Sequence, residues 1–142
     1  MKDHINANVK YREDFRPFAP AVLHEKVHDY FDLNHDSDHM LFIANVKEQY
    51  RASLASIVHV DGSARVQTVK KEMNNKFHTL IEYFHAETGV PILLNTSLNT
   101  KGMPIVETPK DAINLFLNCG LDFLFINNYM IYKKDNPLIS LY

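Results

Sequence analysis

The chain has 142 residues, of which 46% are hydrophobic and 23% charged, with a net charge of −2 at pH 7. That length suits one domain able to bury roughly 70% of its unfolded surface without staples. The charge excludes a global basic field that would draw nucleic acid or an anionic membrane, so RNA binding is disfavoured and an anion site must be a local cluster.

The start, Met1-Lys2-Asp3-His4, lacks the apolar run of a signal peptide, and no stretch approaches the ~18 apolar residues of a membrane span. A cytoplasmic location is the default expectation. Residues 1–19 are polar and basic, with Lys2, Lys10, Arg12 and Arg16 ahead of Phe15-Arg16-Pro17-Phe18-Ala19-Pro20. The two prolines favour an extended path. Phe15 and Phe18 can anchor it and fix Arg16. Lys10, Arg12 and Arg16 read equally well as a solvated basic patch or as part of an anion site.

Leu23, Val27, Tyr30 and Phe31 recur at spacings of three and four and predict a helix from Pro20 to Phe31. Asn34 to His39 is a polar loop. Its two histidines and two aspartates suggest a metal, but adjacent loop residues read more simply as solvated. Met40 to Val46, Ser53 to Val60 and Ala64 to Val69 have strand character, and Asp61-Gly62 predicts a two-residue hairpin between the last two. In that register Arg65 shares a polar face with Ser56, Ser63 and Gln67. His59 falls on the other face with Ile57, Ala64 and Val66, as a core histidine.

Asn74 to Thr88 is the clearest helix, with Phe77, Leu80, Ile81 and Phe84 on one stripe, Lys76, Glu82 and His85 opposite, and Gly89 as the stop. Pro91 to Leu94 is a short buried strand, expected at the centre of the sheet. Beyond it the chain turns polar through Asn95, Thr96, Ser97, Asn99, Thr100, Lys101 and Gly102. Ligands of α/β sheets bind beyond the carboxyl ends of strands, although the same residue types also make turns. Thr108-Pro109-Lys110-Asp111 opens a further helix with Ala112, Ile113, Phe116 and Leu117 on its apolar face and Gly120 at its end. The lone Cys119 excludes an internal disulfide and a cysteine-based zinc site, and its apolar setting makes it a small core residue. Asp122 to Ile126 and Tyr129 to Lys133 are strands around Asn127-Asn128, and Leu138 to Tyr142 is a loose tail. This order of elements predicts an α/β or α+β fold, a mixed sheet covered by helices.

Lys10, Arg12, Arg16, Arg65, Ser97, Asn99 and Lys101 are cations and small polar groups without an evident nucleophile. Such a set suits reactions in which charge neutralisation and positioning carry catalysis, as in phosphoryl and adenylyl transfer.

Three long motifs, Phe15 to Pro20, His59-Val60-Asp61-Gly62-Ser63-Ala64-Arg65-Val66-Gln67-Thr68-Val69 and Pro91 to Asn99, resemble in order the C-terminal domain of the O-carbamoyltransferases. That family includes nodulation proteins and carbamoyltransferases of cephamycins and aminoglycosides. The resemblance runs from about residue 1 to residue 133 and implies a YrdC-like twisted mixed sheet; Ser97-Leu98-Asn99 matches its Ser-x-Asn element. It further implies that this domain binds carbamoyl phosphate and ATP, with Mg²⁺ as a companion of the nucleotide, and forms a carbamoyl-adenylate. A Kae1-like domain, with its own histidine-bound metal and a second nucleotide site, would then transfer the carbamoyl group to a hydroxyl. Carried over by motif, Lys10 and Arg16 would hold carbamoyl phosphate and Arg65 would offset charge between it and the nucleotide. Ser97 and Asn99 would fix nucleotide phosphates or the carbamoyl group, with Arg65 and Ser97 as the catalytic pair. Met1 falls inside the family's chain, so the Kae1-like domain is expected to be missing or on a separate chain. The competing expectation is a non-catalytic anion- or nucleotide-binding module, left from or regulating a larger enzyme.

Overall fold

The computed structural model describes residues 1–133; the tail expected over Leu138 to Tyr142 lies outside the described residues. In chain order the elements are α1 (Lys2–Ile5) with a π-helical turn (Asn6–Lys10), β1 (Ala19–Leu23), a 3₁₀ turn (His24–Lys26), α2 (Val27–Tyr30) and β2 (Phe31–Asp32). They continue with β3 (Phe42–Val46), α3 (Glu48–Arg51), β4 (Ser63–Val69), α4 (Asn75–Thr88), β5 (Ile92–Asn95), α5 (Pro109–Leu117), β6 (Phe123–Ile126) and β7 (Tyr129–Tyr132). The fold is α+β. It divides into two compact units: Pro17–Thr96 with Lys2, and Asp3–Arg16 with Met1 and, among the described residues, 97–133.

The Pro17–Thr96 unit is built on a five-stranded mixed sheet in the order β2-β3-β4-β1-β5. β1 runs parallel to β4 and antiparallel to β5. The helix expected from Pro20 to Phe31 is therefore wrong in its first half. All five residues of β1 are buried, and a short segment apolar on both faces belongs inside a sheet. The ladder with β4 begins at Ala21, so Pro20 gives up no rung there. The helical periodicity survives only after Leu23, in the 3₁₀ turn and α2, where Val27 is buried.

The hairpin is also overturned. Residues before Asp61 form α3 and turns, and the pairings Val60–Ser63, His59–Ala64 and Val58–Arg65 do not form. Both edges of β4 are occupied by distant strands, β3 and β1, whose buried partners outweigh a local turn preference. Asp61-Gly62 still turns the chain. Gly62 has φ +84°, its N–H donates to the His59 carbonyl at 3.0 Å, and the Asp61 carboxylate accepts from the Ser63 N–H at 3.0 Å. The strand over residues 92–95 lies at the sheet edge rather than its centre.

α4 forms as expected, capped by the Asn74 side chain accepting from the Phe77 N–H and closed by Gly89 at φ +75°. Its buried stripe is rotated from the expected one. Ile81 packs on Ala21, Leu23 and Val69, with Phe77 and Leu93 alongside, whereas Leu80 is 55% exposed. The second buried position is His78, whose Nε2 lies 3.0 Å from the Glu25 carboxylate. A polar partner for the ring makes its burial tolerable and draws that flank of the helix inward.

The other unit combines α1, its π-helical turn, α5 and the β6–β7 hairpin, which matches expectation. Thr108 and Asp111 cap α5 reciprocally, with Pro109 at the first position. Phe116 packs with Ala112 and Leu124, and Cys119 with Val9 and Leu115, so the cysteine is a small core residue. Leu115 replaces the exposed Leu117 on the buried face. At Gly120 a Cβ would stand 2.9 Å from the Asn8 backbone oxygen, and the Gly120 N–H donates to that carbonyl at 2.7 Å. Only glycine allows that approach.

Replacing Thr108 with Ala removes the cap of α5. Urea unfolding should show a loss of about 1 kcal/mol, and an unchanged midpoint would mean that the capping box contributes nothing to stability.

Candidate anion-binding sites

In the unit that carries Ser97, the side chain of Lys10 is brought in from the helical turn and left 4% exposed. Its ammonium lies 2.7 Å from the Ser97 carbonyl, 2.9 Å from the Asn99 carbonyl, 2.7 Å from Asn99 Oδ1 and 3.4 Å from Ser97 Oγ. Ser97 Oγ donates to Asn99 Oδ1 at 2.6 Å, and Asn99 Nδ2 donates to the Met103 carbonyl at 2.9 Å. The Lys101 N–H returns to the Lys10 carbonyl at 2.9 Å. Three ammonium protons thus meet four oxygens of one loop, which shapes the Ser-Leu-Asn turn. Burial, and secondarily the charge of Arg12, lowers the Lys10 pKa.

Around this turn the four cations Lys10, Arg12, Arg16 and Lys101 outnumber the two carboxylates of Glu13 and Asp14 on the same segment. Arg12 Nε donates to Asn6 Oδ1 at 2.8 Å. Burial first, and then the charge of Arg16, lowers the Arg12 pKa. Asn6, fully buried, also donates through Nδ2 to the Arg16 carbonyl at 2.9 Å and the Asp14 carbonyl at 3.3 Å. Asn6 therefore holds the path of residues 12–16, the part expected of Phe15, which is instead 72% exposed. Nothing in an Asn-Ala-Asn sequence announces that role. Arg16 is exposed and lies 3.7 Å from Glu13. The Glu13 carboxyl also accepts from Lys101 at 2.6 Å, and this bond is the main reason its pKa falls to about 2.

Arg65 belongs to the Pro17–Thr96 unit. Register places Ile43 opposite Arg65, Ala21 opposite Gln67 and Ala19 opposite Asn95, so these side chains share one sheet face. Gln67 accepts from Asn95 at 2.7 Å. Arg65, exposed, lines a 260 Å³ cavity with Pro17, Phe18, Ala19, Ile43 and His59. No hydrogen bond or ion pair engages its guanidinium among the described residues. His59, expected in the core, is partly exposed on this cavity; with no hairpin, the alternation that would have turned it inward does not exist. Lys10, Ser97 and Asn99 are thus joined directly, Arg16 stands on the segment that Asn6 pins, and Arg65 lines a cavity in its own unit.

The loop expected over Asn34 to His39 spends its polar groups within the same unit. Asp36 takes the Lys70 ammonium, buried Ser37 donates to the Val66 carbonyl at 2.7 Å, and Asp38 accepts from Thr68 at 3.1 Å.

A family model for the carbamoyltransferase C-terminus matches residues 1–133. The chain belongs to this carbamoyltransferase C-terminal family. It is 45% identical to the nodulation protein NolNO of Sinorhizobium fredii over 94% of its own length and 20% of that protein. It is 42% identical to the nodulation protein NolO of Bradyrhizobium diazoefficiens over 96% of its own length and 26% of that protein. The 3'-hydroxymethylcephem-O-carbamoyltransferase of Amycolatopsis lactamdurans is 38% identical over 79% of this chain and 21% of that enzyme. The carbamoyltransferase C-terminal chain thus spans about a quarter or less of the length of these relatives. Among its described residues no helix is long and apolar enough to cross a membrane.

Because the Glu13 pKa is lower in the fold than its ordinary 4.5, the pairing is fully present above pH 4.5 and is lost as pH falls toward 2. Carboxyl NMR of Lys101→Ala should show Glu13 titrating closer to 4.5; an unmoved midpoint would remove Lys101 as the cause. Lys10→Met would leave the loop oxygens without their donor, and chemical denaturation should register a loss of about 2–4 kcal/mol.

Proposed function

We propose that this chain is the carbamoyl-phosphate- and ATP-binding region of an O-carbamoyltransferase, forming a carbamoyl-adenylate for transfer to a hydroxyl acceptor. The observation that carries the reading is Arg65, a guanidinium with no hydrogen bond or ion pair among the described residues, at a cavity sized for a small anion. An arginine left open in this way is suited to fork onto phosphate oxygens. The family and the cephem relative supply the reaction class.

In this reading the Arg65 cavity receives carbamoyl phosphate, and the Ser97–Asn99 turn with Arg16 receives nucleotide phosphates, with Mg²⁺ as their companion. Arg65 thus takes the contact with carbamoyl phosphate that the motif implied for Arg16. Lys10 acts mainly by holding the turn, since its donors are occupied by loop oxygens. That shifts it from the direct phosphate contact implied by the motif. A local excess of cations in a chain of net charge −2 would concentrate anions at this turn without a general affinity for nucleic acid.

Transfer to the acceptor would need the Kae1-like domain, on the same or a separate chain. Residues 1–142 by themselves, with carbamoyl phosphate, ATP and a sugar or aminoglycoside acceptor, should therefore yield no carbamoylated product, and appearance of product would overturn that requirement. A second reading, a non-catalytic anion-binding module, draws on Lys10, whose donors are spent on loop oxygens and not offered to a ligand.

Release of pyrophosphate from ATP that depends on carbamoyl phosphate separates the two, being present for adenylation and absent for a module that only binds. Arg65→Ala should weaken carbamoyl phosphate binding by about 30-fold or more in calorimetry, as for loss of a charged contact. Unchanged affinity would reduce Arg65 to a surface residue.

A further inference from the structure

The turn before β4 prepares a second polar group for the Arg65 cavity. Ser63 Oγ lies 2.6 Å from Asp61 Oδ1 and 3.0 Å from His59 Nδ1. Hydrogen bonds from the Ser63 hydroxyl and N–H hold the Asp61 pKa below the ordinary carboxylate range, so Asp61 only accepts. The single hydroxyl proton of Ser63 therefore goes to Asp61, and Ser63 must accept from His59. His59 Nδ1 consequently carries a proton, and in the neutral ring Nε2 carries a lone pair. Ser63 itself is buried at the start of β4 and its N–H is held by Asp61, so the relay has a fixed base.

His59 lines the cavity together with Arg65, and the other lining side chains, Pro17, Phe18, Ala19 and Ile43, are apolar. Nδ1 is committed to Ser63, which leaves Nε2 as the nitrogen open to a ligand; it has no partner among the described residues. The cavity thus offers a cationic fork for an oxyanion and one lone pair for an N–H donor. Carbamoyl phosphate carries both complements, phosphate oxygens and an amide NH₂. Acetyl phosphate has the same charge and nearly the same shape, with a methyl group where the NH₂ stands.

We propose that His59 Nε2 accepts from the carbamoyl NH₂ and is the specificity-determining residue that makes this cavity prefer carbamoyl phosphate to acetyl phosphate. The inference rests on the function proposed above and assigns to His59 a role that its place in the sequence did not suggest.

The test is calorimetric titration of the full chain, at alkaline pH, with carbamoyl phosphate and with acetyl phosphate. Wild type should prefer the carbamoyl compound by about 5–10-fold, the worth of one net hydrogen bond. In His59→Ala the preference should fall to about 2-fold or less, with acetyl phosphate affinity unchanged, and His59→Gln should restore part of it through its amide oxygen. A preference that survives His59→Ala, or an equal loss for both compounds, overturns the assignment. Long-range ¹H–¹⁵N spectra of wild type provide a check independent of any variant's folding: an Nδ1–H tautomer is expected, and an Nε2–H tautomer overturns the proposal. Wild type binding neither compound would overturn the proposed function, and this assignment with it; wild type binding both equally overturns the assignment alone.

Discussion

The ammonium of Lys10 has been taken out of water, and a buried charge persists only where its lost hydration is replaced by well-placed acceptors. The replacement here is a single loop whose two carbonyls, one amide oxygen and one hydroxyl converge on Nζ. The constraint works in both directions. The loop fixes the lysine, and the lysine draws together oxygens that would otherwise repel one another. Val9, packed with Leu115 and Cys119 one residue before, sets where Lys10 enters. A buried apolar contact thereby determines the shape of a polar turn.

Beside it, Asn6 uses its one side-chain amide to hold Arg12 and two carbonyls of the segment that follows. Arg16 is consequently carried on a defined backbone although its side chain is exposed. Like charges gathered in this way repel, which is part of why Arg12 is acidified. An arrangement that accepts this cost is suited to an anionic ligand, because binding relieves it.

In the sheet unit the governing fact is that β4 has no free edge. Parallel pairing with β1 and antiparallel pairing with β3 fix its register twice. Arg65 therefore stands on a known face, while α4 covers the same face further along at Leu23 and Val69. The uncovered part holds Arg65, small Ala19 and the turn bearing His59. The apolar lining leaves a charged ligand group few partners other than these two, so each counts for more than it would on an open surface.

Local sequence alone determined the elements whose signals are local: α4 with Asn74 and Gly89 at its ends, α5 with its Thr108–Asp111 cap, the β6–β7 hairpin, and the core place of Cys119. It also marked Lys10, Arg16, Arg65, Ser97 and Asn99 by residue type and motif. Tertiary structure decided what those positions do. Ala19–Leu23 became a strand because strands remote in sequence bury it on both sides. Asp61-Gly62 became a local turn rather than a hairpin because β3 and β1 had taken both edges of β4. His59 was thereby placed on a cavity, and Lys10 was enclosed by a loop some ninety residues away. Patterning records short-range geometry; long-range pairing and the compensation of a buried charge depend on which distant partners arrive, and no single segment contains that information.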